Sequence, residues 1–259
     1  MRSFVDNARS FRDRMAADGR SLAPLADGQQ PLALFITCSD SRVIPSLITG
    51  AAPGELFELR TAGGIVPRYD LARPSGETAT IEFAVQVLGV ADIVVCGHSQ
   101  CAAVAARVRG DDLSHVPAMN GWLTHHATPP TAATPPGGAR SGTHGGAGGP
   151  AARPAEAQLA DAVRHHVLAQ LDRLRGYPCV AERLREGRIG LHGWYYEVHT
   201  GTVLAHQPAP APRPTAGHTT DDTTGDAADG REHTREHAAD HTRDPEPRPG
   251  HGPGAFRPL

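Results

Sequence analysis

The chain has 259 residues, enough for one or two domains with an ample core, yet its apolar share of 39% is low for a globular protein. A formal net charge of -3 gives no electrostatic case for nucleic acid or an anionic membrane surface. No apolar run approaches the roughly 20 residues of a membrane helix, and the opening Met1-Arg2-Ser3-Phe4-Val5-Asp6 lacks the apolar stretch of a secretory signal. The cysteines at 38, 96, 101 and 179 are too unevenly spaced to suggest a disulfide framework. A reducing, cytoplasmic setting follows, with the thiols free for metal.

In chain order, Phe4, Phe11 and Met15 recur at helical spacing, so residues 3–18 are expected to form a helix with Ser3 as its N-cap. Leu-Ala-Leu-Phe-Ile-Thr at 32–37 follows Pro31 and looks like a buried parallel strand. A second strand is expected at 56–59 after the Pro53-Gly54 turn, then a helix over 77–88 that stops at Gly89. Asp92 to Cys96 is the third strand, and helix resumes over 102–108. Leu159, Val163, Val167, Leu171 and Leu174 share one side of a long helix over 156–174, and a shorter helix covers 179–186. Short strand-like runs at 189–191 and 195–198 precede the Thr200-Gly201 turn. This alternation predicts an α/β fold, a mainly parallel central sheet flanked by helices, with an N-terminal helix.

Two stretches do not suit a packed core. Residues 127–155 are nearly all Ala, Pro, Thr, Gly and Ser and read as a flexible insertion in a domain spanning 1–206. Residues 207–259 are rich in Pro, Asp, His and Arg and read as a disordered tail. In that tail His233, His237 and His241 stand four apart, a spacing that suits either a weak secondary metal site or a solvated, composition-driven segment.

The chemistry concentrates at two strand ends. Cys38-Ser39-Asp40-Ser41-Arg42 ends the first strand, and His98-Ser99-Gln100-Cys101 ends the third. Sites in open α/β sheets gather at the carboxyl ends of strands. Two thiolates and an imidazole suit Zn2+, and three protein ligands leave the fourth position for water, as in catalytic sites. Cys96 keeps a second reading open. It lies two residues from His98, on the same face of an extended strand, and as a fourth ligand it would close the site into a structural one. Asp40 and Arg42 are either a surface ion pair or, beside a metal, an anchored carboxylate that orients the bound nucleophile. Gly63-Gly64 lacks the spacing of a nucleotide-binding loop. Trp122, Trp194, Tyr195 and Tyr196 read as core or interface, and His125-His126 and His165-His166 as solvated surface.

The pair Cys-x-Asp-Ser-Arg and His-x-x-Cys resembles the β-class carbonic anhydrases, in the plant-like bacterial subgroup. Further similar segments are Gln29-Gln30-Pro31, Pro53-Gly54-Glu55-Leu56-Phe57, Arg60, Ile81-Glu82-Phe83-Ala84-Val85, Leu191-His192-Gly193-Trp194 and Thr200-Gly201. The resemblance spans about 28–206 without the insertion. It implies one zinc per subunit on Cys38, His98 and Cys101, reversible hydration of CO2 to bicarbonate, and a homodimer or higher homo-oligomer. It also implies a substrate pocket of Gln29, Phe57, Ala62 and Phe83, partly supplied by a second subunit. The sequence departs from the family at Thr61 and Gly64, where asparagines are usual, and at Ala102 and Ala103, where glycines are usual. The alanines are expected to crowd the backbone near the metal. Two rival functions share these ligands: a related zinc hydrolase acting on CS2 or COS, and a non-catalytic zinc-binding regulatory module.

Overall fold

The structure, a computed structural model, describes residues 1–127, 152–208 and 254–259, with side chains from 156 onward in the second stretch. Six strands form one sheet: β1 (Ala33–Cys38), β2 (Leu56–Thr61), β3 (Asp92–His98), β4 (Gly190–Tyr196), β5 (Val203–Gln207) and β6 (Ala255–Pro258). Their spatial order is β2-β1-β3-β4-β5-β6. The pairings β1–β2, β1–β3 and β3–β4 are parallel, and β4–β5 is antiparallel. A mainly parallel sheet is thus found, as the alternation predicted.

Apolar runs on β1 and β3 supply both faces. Leu34, Ile36, Ile93 and Val95 enter the main core, which α4 (Gly76–Glu82), α7 (Ala152–Arg175) and α8 (Pro178–Arg185) help to build through Ile81, Val167, Leu171, Leu174 and Val180. Phe35, Val94 and Cys96 form a separate cluster with Trp194 and Tyr196, the alternation a pleat imposes. Helix α7 lies against β3 and β4. It approaches closely because Gly97 and Gly193 present no side chain. A Cβ on Gly97 would sit 2.7 Å from methyls of both Val163 and Val167, and one on Gly193 would be 3.1 Å from Leu171 and Val167.

Several boundaries differ from expectation. The helix expected over 3–18 is two, α1 (Arg2–Arg9) and α2 (Phe11–Ala17), broken at Ser10, and the N-cap is Met1 rather than Ser3. Neither helix buries a residue against the described part of the chain. The helix expected to run to residue 88 ends at Glu82 and continues as a π turn over Phe83–Val87, with Gly89 beyond it at φ +67°. The strand-like runs at 189–191 and 195–198 are one strand, β4. Two short helices, α3 (Pro45–Thr49) and α6 (Pro117–His126), had no strong periodic signal. Helix α7 starts at Ala152, within the stretch read as a flexible insertion over 127–155; residues 128–151 lie outside the described ones. The tail expected to be disordered over 207–259 ends instead in β6, where Phe256 packs on His206 with ring centroids 5.4 Å apart. Residues 209–253, with His233, His237 and His241, lie outside the described ones.

Candidate metal centre

Strands β1 and β3 run side by side and in register from Ala33↔Asp92 to Thr37↔Cys96, so their last residues, Cys38 and His98, emerge at one edge. Three residues on, Cys101 sits at the N-cap of α5 (Ala102–Arg109). Between them Gln100 adopts φ 57°, the only positive φ outside glycine among the described residues. Such strain in a short loop marks a conformation fixed by its surroundings. The sulfurs of Cys38 and Cys101 and an imidazole nitrogen of His98 all lie within 4.8 Å of one another.

The donor set fits a metal. His98 Nδ1 is 2.9 Å from the Ser99 carbonyl, which can only accept, so the proton resides on Nδ1 and Nε2 keeps its lone pair. Nε2 is buried and has no hydrogen-bond partner among the described residues, a costly arrangement for an imidazole nitrogen that a metal would resolve. The hydrogen bond from Cys101 holds the Cys38 thiol below its ordinary value, against the opposing effect of burial. His98 and the backbone amides of Asp40 and Gly63 act in the same direction. The Cys38 sulfur and burial in turn push Cys101 up. The surroundings of Cys38 thus favour the thiolate, the form a metal takes.

Cys96 is not part of this group. It lies in the cluster with Phe35 and Val94, and burial pushes its thiol up to about 12. Among the described residues the only candidate metal group is Cys38, His98 and Cys101, so the four-ligand structural site is not formed.

Asp40 and Arg42 are paired. Arg42 Nε donates to Asp40 Oδ1 at 2.9 Å and Nη2 to Oδ2 at 2.8 Å, while the Arg42 backbone N–H adds a third bond to Oδ1 at 3.0 Å. These bonds hold the Asp40 carboxyl well below the usual carboxylate range. Asp40 Oδ2 lies 3.9 Å from His98 Nε2, beside the orphaned nitrogen. Arg42 Nη1 also donates to Gln100 Oε1 at 3.3 Å, tying the two ligand loops together. Arg60 braces the first loop from beneath, its guanidinium donating to the carbonyls of Cys38, Asp40 and Val43.

The altered family positions are accommodated. Gly63 has φ +82°, and a Cβ there would be 3.1 Å from Cβ of Ala103, so the space a side chain would need at 63 is taken by the alanine methyl. Ala102 is exposed. The expected crowding is thus absorbed by Gly63. Thr61 is buried and donates to the Ile65 carbonyl at 3.1 Å.

A cavity of about 400 Å³ next to this centre is lined by Ser39, Arg60, Ala62, Glu77, Met119 and Trp122, among others. Of the sequence-predicted pocket residues only Ala62 lines it. Gln29 is exposed ahead of β1, and Phe57 and Phe83 meet each other with ring centroids 6.0 Å apart. Sequence reasoning missed Gln100, Trp122 and the α7 pair His166 and Gln170. His166 was expected at the surface but is only 6% exposed, with its Nε2 3.0 Å from the Gly63 carbonyl. Its place three residues after Val163 and one before Val167, on the buried stripe of α7, was the available signal.

A parallel α/β sheet with a Cys-His-Cys trio at its carboxyl edge defines a class, the α/β proteins with three-ligand metal sites. A family model described as carbonic anhydrase matches residues 33–203. The carbonic anhydrase of Pseudomonas aeruginosa is 46% identical over 205 residues, covering 78% of this chain and 86% of that one. Carbonic anhydrase 1 of Escherichia coli O157:H7 is 39% identical over 213 residues, covering 81% and 89%. The solved β-carbonic anhydrase CcaA matches with a TM-score of 0.65 at 33% identity, covering 80% of this chain and 95% of that one. The chain belongs to the β-class carbonic anhydrase family.

Proposed function

We propose that this protein binds one zinc ion per subunit through Cys38, His98 and Cys101 and catalyses the reversible hydration of CO2 to bicarbonate and a proton. The observation that carries the reading is the unpartnered His98 Nε2 facing two sulfurs, with an anchored Asp40 alongside. Zinc in such a three-ligand site leaves a fourth position for water and lowers that water's pKa from about 15.7 towards about 7.

The chain's own groups supply the rest. Asp40, held ionised by two guanidinium bonds and its own loop N–H, is acceptor-only. It takes a hydrogen bond from the nucleophile's O–H and aims the oxygen lone pair at CO2. Arg42 keeps that carboxylate turned away from the metal position. Ala62 offers an apolar wall to the cavity, and Gln29, Phe57 and Phe83 complete the substrate site in the assembled oligomer. Exposed apolar side chains at Phe4, Phe11, Leu32, Leu47, Phe83 and Val87 support a homodimer or higher oligomer. The setting is the cytoplasm, in keeping with four free cysteines among the described residues.

The test is kcat/KM for CO2 hydration against pH, for native protein and for Asp40→Ala and Arg42→Ala, each checked for zinc. Native activity rises with pH as the nucleophile deprotonates. Both variants keep zinc and lose about two powers of ten or more. Native-like rates in both would reduce the dyad to an ion pair. A native protein that turns over COS or CS2 but not CO2, or neither, would overturn the reading.

A further inference from the structure

We infer that Trp122 and His166 are positioning residues for the metal ligand Cys38, acting together through the backbone of the turn at Ala62–Gly64. The inference rests on the zinc reading above. The Gly63 N–H donates to Cys38 Sγ at 3.4 Å. That N–H belongs to the peptide joining Ala62 and Gly63, and the other end of the same peptide, the Ala62 carbonyl, accepts from Trp122 Nε1 at 2.9 Å. The peptide is thus held between the indole of α6 and the sulfur of β1. The next peptide is held from α7. The Gly63 carbonyl accepts from His166 Nε2 at 3.0 Å, at a position on α7 103 residues away in sequence.

The clamp is internally consistent. A carbonyl only accepts, so the His166 proton sits on Nε2, and burial, which pushes this histidine down to about 4, keeps the ring neutral. Nδ1 is then an acceptor, and Gln170 Nε2 lies 3.4 Å away as a donor. Gln170 Nε2 also donates to the His166 carbonyl, while Gln170 Oε1 accepts from the Val66 N–H at 3.0 Å. Arg173 Nη1 donates to the Val66 carbonyl at 2.8 Å. Each end of the turn is therefore anchored to a helix.

The turn itself cannot supply this rigidity. Its bends need φ +82° at Gly63 and +62° at Gly64, and a Cβ on Gly64 would lie 3.2 Å from the Cys38 backbone nitrogen. Glycines bring the turn onto the end of β1 but leave it free to rotate. The side chains of α6 and α7 remove that freedom. A fixed N–H stabilises the thiolate charge, tunes its donation and holds the sulfur in place, and outer partners of this kind are typically worth about 10–100-fold in metal affinity or activity.

The test uses the full chain with two metals. Zinc loss to excess chelator is followed in native protein and in Trp122→Phe, His166→Met and His166→Gln. The energy of the thiolate-to-cobalt charge-transfer band is read in the same proteins loaded with Co2+. Met and Gln have similar length, but only Gln retains an N–H donor. Trp122→Phe and His166→Met are expected to lose zinc about 10–100-fold faster and to shift the band. His166→Gln should stay within about threefold of native with an unshifted band, by virtue of its retained donor. Leu174→Ala, deep in α7, controls for a merely structural effect: it lowers Tm and leaves the band in place. Unchanged zinc loss and band in both Trp122→Phe and His166→Met would overturn the inference alone, as would an equal band shift in Leu174→Ala. A native protein that takes up neither metal would overturn the zinc reading itself.

Discussion

Replacing Gly97 by alanine tests whether α7 lies on β3 as described. The new methyl would meet Val163 Cγ1 and Val167 Cγ2 at 2.7 Å, closer than real carbons approach. Both neighbours are β-branched and stiff at χ1, and both are 1% exposed, so neither can swing away. Overpacking of this kind costs about 1–3 kcal/mol, offset by about 0.4–1 kcal/mol for the lower chain entropy of alanine in the unfolded state. The net loss spans about 0–2.6 kcal/mol, and two contacts at 2.7 Å with stiff neighbours put it in the upper part, about 1–2 kcal/mol. For a domain of this size that lowers Tm by about 2–8 °C. Gly121 provides the opposite case. It lies inside α6, and a Cβ there meets nothing within 4 Å. Gly121→Ala is expected to stabilise by about 0.5–1 kcal/mol through helix propensity, raising Tm by about 1–4 °C. Thermal unfolding of both variants at one protein concentration, since an oligomer's Tm depends on it, reads the two signs directly. A Gly97→Ala protein that melts at or above native would refute the close approach of α7 to the sheet.

Elemental analysis of Cys38→Ser and Cys101→Ser proteins should show near-complete loss of zinc, while Cys96→Ser retains it; full retention in either of the first two removes the ligand assignment. Stability should fall in mild acid because of His166. Its folded pKa of about 4 lies below the ordinary value near 6.5, so the unfolded chain binds the proton first. The contribution is complete above about pH 6.5 and is lost as pH falls towards about 4, amounting to roughly 3 kcal/mol. Urea unfolding of native and His166→Gln proteins at pH 7 and pH 5 measures it: the native protein should lose more stability between the two than the variant, and parallel losses would contradict a buried neutral imidazole.

The sheet's centre and the grouping of Cys38, His98 and Cys101 were readable because they rest on local signals. Continuous apolar runs mark β1 and β3, and Cys38 and His98 stand where those runs stop. The flanks were harder for reasons that are physical. His192 and Gly193 interrupt the apolar pattern of β4, yet Gly193 is there to admit α7. Strand β6 draws on Phe256 alone among large aromatic side chains, in a stretch whose composition otherwise lacks a core. The hydrogen bonds on the Ala62–Gly64 turn escaped notice for a related reason. They use backbone carbonyls and N–H groups, which every residue has, so Trp122 and His166 leave no mark on the sequence beyond their positions on two helices.

The parallel order of the sheet has a consequence for handling the protein. Ala33 pairs with Leu56 and Asp92, and Asp92 pairs with Gly190, so the edge that gathers Cys38, His98 and Cys101 is assembled from distant parts of the chain. Sheets built from such long-range pairings form slowly, because loop-closure entropy is lost before the contacts are made. Throughout that interval all four thiols, buried and reduced in the finished molecule, are open to solvent and to one another. Thiol–disulfide exchange then competes with assembly, and recovery of folded protein from denaturant should depend more on the reductant present in the first minutes than on anything added after the sheet has closed.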